Sequence, residues 1–152
     1  MSDTVNTDPK TPAPQVWPCL RARDAKALIR FLVDAFGFEE VVSYEEGGLV
    51  VHAELAWPEG GGVMLGSERE TPERETPEGE APWPGRPGTF TAYVVTARPD
   101  AVHARAVAAG ARITTGLTET DYGSRDFSAA DPEGNRWSFG TYPGSPRPGA
   151  EG

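Results

Sequence analysis

Two side chains of complementary chemistry stand two positions apart in an otherwise apolar segment. His52 and Glu54 flank Ala53, and the alternation of a β-strand directs both side chains to the same face. An imidazole beside a carboxylate can act as an acid–base pair or supply two ligands to a metal ion. The same pattern also fits a half-exposed polar strand face, and two-residue matches of this kind are common by chance. His52 and Glu54 are therefore candidate catalytic residues with a structural alternative.

Cys19 is the single cysteine of the chain and a third candidate for chemistry. It shares a predicted strand face with Trp17 and Arg21. A nucleophilic cysteine needs a nearby base or cation that stabilises its thiolate, and Arg21 meets that need only if both side chains point inward. The alternative is a cysteine that packs in the wall of the domain. The sequence contains neither a Ser-His-Asp spacing nor a Gly-rich phosphate-binding loop.

Two segments of similar length, residues 15–67 and 88–143, must position these side chains. Asp24 is a typical helix N-cap, and Gly37 and Gly110 are typical helix ends. Each segment predicts the order βαβββ. The predicted elements are strands at 16–22, 41–44, 49–57 and 63–67 around a helix that ends at Gly37, and strands at 89–96, 111–114, 125–130 and 136–141 around a helix from Pro99 to about Ala109.

The two segments also repeat in sequence. The stretch from Pro58 to Ser67 aligns without gaps on the stretch from Pro132 to Thr141, and both begin Pro-Glu-Gly. The same offset places residues 16–20 on residues 90–94, strand on strand. Both copies of the repeat also lie at the end of the same βαβββ order of elements. The chain is therefore predicted to be a duplicated βαβββ unit.

Three further segments have compositions typical of disorder. Residues 1–14 and 144–152 are polar, Pro-rich or Gly-rich tails, and residues 68–87 form an acidic connector that contains Arg-Glu-Thr-Pro-Glu twice in tandem. Such segments bury too little apolar surface to offset the entropy of ordering.

Composition narrows the class of protein. The chain has 152 residues and a formal net charge of −9, so nucleic acid is not an expected partner. A single cysteine excludes an intrachain disulfide. No apolar run reaches membrane-spanning length, and the N-terminal stretch lacks the apolar core of a signal peptide. We therefore expect a cytoplasmic protein that makes no membrane contact.

The duplicated unit resembles the vicinal-oxygen-chelate superfamily, which contains glyoxalases, bleomycin-resistance proteins and dioxygenases. The likeness covers residues 16–142, and its most specific part is the Asp131-Pro-Glu-Gly-Asn135 turn before the last strand. The resemblance implies an α+β fold in which two βαβββ modules form a half-open, eight-stranded, barrel-like sheet with the helices outside. It also implies a homodimer. The other segments that carry it are 18–24, 31–38, 52–55, 63–67 and 122–127.

In metal-dependent members of that family, four side chains on the first and last strands of the two modules hold the ion. The matching positions here are Trp17, Met64, Thr91 and Ser138. The internal repeat pairs the same positions, Trp17 with Thr91 and Met64 with Ser138. None of them is a His or a carboxylate, which divalent cations require. We therefore expect no metal and no other cofactor.

The remaining side chains at cavity-facing positions suit a flat organic molecule, because aromatic rings can stack on it and hydroxyl groups can orient it. The predicted function is the metal-free binding of a hydrophobic or aromatic small molecule in a cleft between the modules. One alternative is a glyoxalase- or dioxygenase-type enzyme with a non-standard site near His52 and Glu54. Another is a metal-free lyase or isomerase, and a structural alternative is that these side chains simply fill the barrel. The predicted ligand-binding residues are Trp17, Cys19, Met64, Thr91, Tyr93 and Ser138.

Overall fold

The computed structural model describes residues 13–68, 85–146 and 148. Most of the predicted N-terminal tail and of the acidic connector, and part of the predicted C-terminal tail, therefore lie outside the described residues. The elements of the first module are β1 (Cys19–Ala22), α1 (Ala25–Phe31), a π-helical turn (Leu32–Phe36), β2 (Glu39–Glu46), β3 (Leu49–Ala56) and β4 (Gly62–Ser67). Those of the second are β5 (Thr91–Val95), α2 (Pro99–Ala108), β6 (Arg112–Glu119), β7 (Arg125–Ala130) and β8 (Arg136–Gly140). Neither helix has the length and the apolar run that crossing a membrane requires.

The strands confirm the duplication. Each module forms a four-stranded sheet, in the order β1-β4-β3-β2 or β5-β8-β7-β6. The first and last strands of each module pair in parallel, and the other neighbours pair antiparallel. The predicted α+β class is confirmed. The eight strands form two separate sheets that are not closed into a barrel, which fits the expected half-open arrangement.

Local sequence signals account for most helix boundaries. The Asp24 side chain accepts a hydrogen bond from the Ala27 amide at 3.1 Å, and Gly37 ends the first helical segment with a φ of +94°. The π-helical turn before Gly37 was not predicted. Pro99 occupies the first turn of α2, where its missing amide hydrogen costs no hydrogen bond.

One hydrophobic core joins the two modules. Phe36, from the end of the first helical segment, packs its ring 4.7 Å from that of Phe139 and 5.8 Å from that of Trp137, and all three are buried. Leu20 and Leu65 are buried, as strand alternation predicts. The prediction that the first strand begins at residue 16 is wrong, because β1 begins at Cys19 and Val16 is 83% exposed.

Two glutamates hold each module to the other, and we call the pair the glutamate clasp. Glu133 follows β7 and accepts hydrogen bonds from the backbone amides of Arg23 and Asp24, at 2.8 and 2.9 Å, just before α1. Glu59 follows β3 and accepts from the Thr96 hydroxyl at 2.7 Å and the Ala97 amide at 2.9 Å, just before α2. Each carboxylate thus fixes the start of the other module's helix, where the helix dipole favours a negative charge.

The clasp explains the Pro-Glu-Gly repeat that the sequence shows. In both turns the glycine amide donates to the carbonyl oxygen three residues earlier, from Gly60 to Trp57 at 2.8 Å and from Gly134 to Asp131 at 2.9 Å. Both glycines adopt positive φ, a conformation that side chains other than that of glycine rarely reach. The repeated motif is therefore a structural device that joins the modules.

Replacing Glu133 with Ala should lower the free energy of unfolding by about 2–3 kcal/mol, because two backbone amides lose a charged acceptor next to a helix start. The Glu133 side chain is only 6% exposed, so water cannot fully replace it. Urea denaturation measures the change. Glu133→Gln keeps one acceptor oxygen and should lower the free energy of unfolding by less. Glu46 is exposed, so Glu46→Ala should lower it by under about 0.5 kcal/mol. Equal stability of Glu133→Ala and wild type would contradict the role of the clasp.

Candidate functional site

The outer face of the first sheet brings three of the candidate residues into one row. Cys19 of β1 pairs with Met64 of β4, and Met64 pairs with Glu54 of β3. The residues that alternate with them, such as Leu20 and Leu65, are buried in the core. Cys19, Met64 and Glu54 therefore lie side by side on the face that points away from the helices.

His52 and Glu54 contact each other, as the strand pattern suggests. The His52 Nε2 atom lies 2.8 Å from Glu54 Oε2, and the Tyr44 ring stacks nearly parallel to the imidazole at 6.4 Å between centroids. Both members of the pair are partly exposed. The pair can hold and transfer a proton. Within residues 13–68 and 85–146, however, no group of three or more His, Cys, Asp or Glu side chains is placed to hold a metal ion.

Arg21 lies over a glycine further along the same face. Its Nη1 atom is 2.6 Å from the point that a Cβ atom on Gly66 would occupy, so the guanidinium needs a glycine at that position. The Cys19 thiol is exposed, and its Sγ contacts the carbonyl oxygen of Trp17 at 3.5 Å. A carbonyl oxygen does not activate a thiol as a base does. The described contacts thus give Cys19 no base.

The four positions mapped from the family contain no side chain that binds divalent metal ions well. Met64 and Ser138 occupy corresponding places on β4 and β8, and Thr91 begins β5. Trp17 lies before β1, but its ring still reaches this sheet, with Cζ3 2.9 Å from the point that a Cβ on Gly62 would occupy. These groups offer an indole, a thioether and two hydroxyls, a donor set that does not fit a divalent cation.

The outer face of the second sheet has a different chemistry. Tyr93 of β5 pairs with Ser138 of β8, which pairs with Ser128 of β7. The two serine hydroxyl oxygens lie 2.8 Å apart. Thr91 lies on the same face and is exposed. This row of hydroxyl groups is the structural counterpart of the row formed by Cys19, Met64 and Glu54.

A residue missed by the sequence analysis lies next to Tyr93. The Asp126 carboxylate and the Tyr93 hydroxyl both lie over Gly140, with Asp126 Cγ 2.9 Å and Tyr93 Oη 2.6 Å from the point that a Cβ would occupy. Ser124 donates a hydrogen bond to Asp126. The internal repeat contained a signal for Asp126. The offset that pairs Met64 with Ser138 also pairs His52, a candidate residue, with Asp126.

The Asp131-Pro-Glu-Gly-Asn135 turn, the most specific part of the resemblance, serves the fold. Asp131 accepts hydrogen bonds from the amides of Glu133 and Asn135, from the Asn135 side chain and from the indole of Trp137, at 2.8–3.0 Å. Both Asp131 and Asn135 are buried. The turn therefore anchors the core tryptophan and leaves no free group for a ligand.

Arg125 is occupied by acidic partners on the helix side of the second sheet. Its guanidinium donates to Asp100 at 2.7 and 3.0 Å and to Glu119 at 3.0 Å. The hydrogen bonds that Arg125 donates to Asp100 and Glu119 raise the pKa of Arg125 above its usual value, and those to Asp100 lower the pKa of that carboxyl group. The Arg125 guanidinium therefore contacts Asp100 and Glu119 and does not pair with Asp126.

The predicted ligand-binding residues divide between the two sheets. Cys19, Met64 and the nearby Trp17 belong to the first, and Thr91, Tyr93 and Ser138 belong to the second. No hydrogen bond between the two groups is found in the described part of the chain. Both faces are partly open, and Tyr93 is 43% exposed. A cleft of about 350 Å³ lies elsewhere, between α1 and β2, and is lined by Lys26, Ile29, Arg30, Val33, Asp34, Glu40, Ser43 and Glu45.

Solved structures with the same fold include several related proteins. TioX from Micromonospora sp. ML1 is 26% identical, with a TM-score of 0.68 over 84% of this chain and 98% of that chain. A glyoxylase/bleomycin resistance protein/dioxygenase domain from Frankia sp. EAN1pec is 17% identical, with a TM-score of 0.60 over 86% and 98%. A glyoxalase/bleomycin resistance protein from Streptomyces sp. CB03234 is 20% identical, with a TM-score of 0.57 over 82% and 98%.

A search of curated proteins gives no significant match. The model of the Glyoxalase/Bleomycin resistance protein/Dioxygenase superfamily, in contrast, matches residues 15–139, which include both modules. This match agrees with the duplicated βαβββ topology and with the solved structures of that superfamily. The chain belongs to the glyoxalase/bleomycin resistance protein/dioxygenase superfamily.

Proposed function

We propose that this protein binds a flat hydrophobic or aromatic small molecule without a metal, on the outer faces of its two sheets. One observation carries the proposal. The four positions that would hold a metal carry Trp17, Met64, Thr91 and Ser138, and the Cys19 thiol, the Tyr93 ring and the Ser128 hydroxyl lie beside them. Such groups bind by stacking and by one or two hydrogen bonds.

Simple energetics favour a ligand that is covered by more than one sheet face. Burying roughly 200 Å² of apolar ligand surface against one sheet provides about 5 kcal/mol, from which the entropy lost on association must be subtracted. Micromolar affinity needs about 8 kcal/mol. One face alone therefore gives weak binding, and a second covering surface is needed.

The family resemblance adds the proposal of a homodimer, in which a second copy would cover the open sheet faces and increase the ligand surface that is buried. A cytoplasmic location is a separate proposal, which rests on the sequence and not on the resemblance.

We expect Trp17→Ala and Tyr93→Ala each to weaken the binding of a planar aromatic probe, such as acridone, by about tenfold, because each removes a stacking surface worth roughly 1–1.5 kcal/mol. Equilibrium dialysis measures the dissociation constants. Trp17→Phe should retain most of the affinity. Leu49→Ala, which removes an exposed apolar side chain at the β2–β3 hairpin, should have no effect. If no planar aromatic compound in a broad panel binds to the wild-type protein, this function is wrong.

The contact between His52 and Glu54 favours a second candidate function, an enzyme of glyoxalase or dioxygenase type. In that role the pair would supply a non-standard metal site or an acid–base pair. A metal-free lyase or isomerase that uses Cys19, Tyr93 or Glu54 is a related alternative. Glu54 is next to Met64 in the row, so a ligand on this face would lie beside the pair.

Metal analysis separates the binding protein from the metalloenzyme. Binding without a metal predicts that the purified protein contains no stoichiometric Fe, Zn, Ni or Mn, and that His52→Ala leaves the metal content unchanged. A stoichiometric metal that is lost in His52→Ala would instead establish the second candidate. Glu119→Ala is a suitable control, because this carboxylate contacts Arg125 and lies away from the row.

A further inference from the structure

Four residues form a chain of contacts on the outer face of the second sheet. The Tyr93 hydroxyl donates to the carbonyl oxygen of Tyr142 at 2.9 Å, and the Tyr142 amide donates to the Ser124 hydroxyl at 3.1 Å. Ser124 donates in turn to Asp126, which lies beside the Tyr93 hydroxyl over Gly140. Because each member is held by the next, the positions of the carboxylate and the phenol are fixed before any ligand arrives.

The Asp126 carboxylate has room for another partner. In the described part of the chain, no Arg, Lys or His side chain lies within 4.0 Å of it, and Ser124 supplies the only side-chain hydrogen bond it receives. A carboxylate can accept about four hydrogen bonds. Its neighbour in sequence, Arg125, is held by Asp100 and Glu119 on the other side of the sheet. A half-buried carboxylate in this situation favours a cationic partner.

The surroundings of Asp126 also favour a cation. Tyr93, Tyr142 and Tyr122 are all exposed, and the rings of Tyr122 and Tyr142 meet edge to face at 5.8 Å between centroids. The faces of aromatic rings carry partial negative charge and attract ammonium groups. The net charge of −9 raises the local concentration of cations around the whole chain.

The first sheet has the opposite character at the matching positions. The internal repeat pairs His52 of the first module with Asp126 of the second, and Arg21 of the first with Val95 of the second. The Arg21 guanidinium lies over Gly66, the counterpart of Gly140. The carboxylate of the first face, Glu54, thus already has His52 as a partner, and Arg21 lies on the same face, whereas Asp126 has no basic partner among the described residues.

We infer that Asp126, flanked by Tyr93, is the counter-ion for a protonated amine on the ligand, and hence that the ligand is a planar aromatic cation. The inference rests on the proposed function and adds the charge and the orientation of the ligand. The aromatic part stacks on the row that includes Tyr93, and the amine contacts the Asp126 carboxylate.

Three probes with the same ring system test the inference. Near neutral pH, 9-aminoacridine is a cation, acridone is neutral and acridine-9-carboxylate carries a negative carboxylate. Equilibrium dialysis at low ionic strength gives the three dissociation constants. The wild-type protein should bind 9-aminoacridine about tenfold more tightly than acridone, and acridine-9-carboxylate most weakly.

Asp126→Asn should remove this preference, weakening 9-aminoacridine about tenfold while leaving acridone unchanged. Asp121→Asn is the matched control, because it makes the same change in net charge at an exposed position in the nearby turn. Gly140→Ala is a second variant that keeps the charge. Its methyl group would displace both the carboxylate and the phenol, so it should also lose the preference. Thermal unfolding of each variant shows whether it is folded.

The outcomes separate the two proposals. Equal binding of the cationic and neutral probes to wild type, or equal losses in Asp126→Asn and Asp121→Asn, would overturn the role of Asp126 and leave the binding function intact. Failure of all three probes to bind wild type would overturn both. Loss of the preference in Asp126→Asn and Gly140→Ala, but not in Asp121→Asn, would support both.

Discussion

Each module holds the start of the other module's helix through a single carboxylate. Glu133 binds the two amides before α1, and Glu59 binds the hydroxyl and the amide before α2. Together with the packing of Phe36 on Phe139, these contacts turn the inner sides of both sheets towards one shared core. The side chains on the outer faces therefore do not pack in this core. The candidate binding residues depend on this division, because each of them lies on or next to an outer face.

The duplicated backbone carries two different surfaces. Corresponding strands pair in the same register, so Met64 matches Ser138, His52 matches Asp126 and Glu54 matches Ser128. The first face combines a thioether with an imidazole–carboxylate pair, whereas the second offers hydroxyl groups and a carboxylate held by Ser124. A symmetric scaffold therefore presents an asymmetric site.

The sequence predicts the parts of this structure that depend on local patterns. The cap at Asp24, the helix end at Gly37 and the alternation that separates Cys19 from Leu20 all follow from neighbouring residues. Contacts between distant segments have no such local signature. The approach of Tyr93 to Asp126 depends on the register of three strands, and the partners of Glu133 lie in the other module. The start of the first strand was predicted at residue 16 because the alternation was extended beyond Cys19, the first residue of β1.

We propose that a planar aromatic ligand occupies the outer faces of the two sheets. The most direct test is a titration of the isotope-labelled protein with 9-aminoacridine, followed by two-dimensional amide NMR. We expect shifts concentrated at Cys19, Met64, Tyr93, Asp126 and Ser138 that saturate together with one dissociation constant. Shifts confined to the cleft between α1 and β2, around Lys26, Arg30 and Glu40, would contradict it.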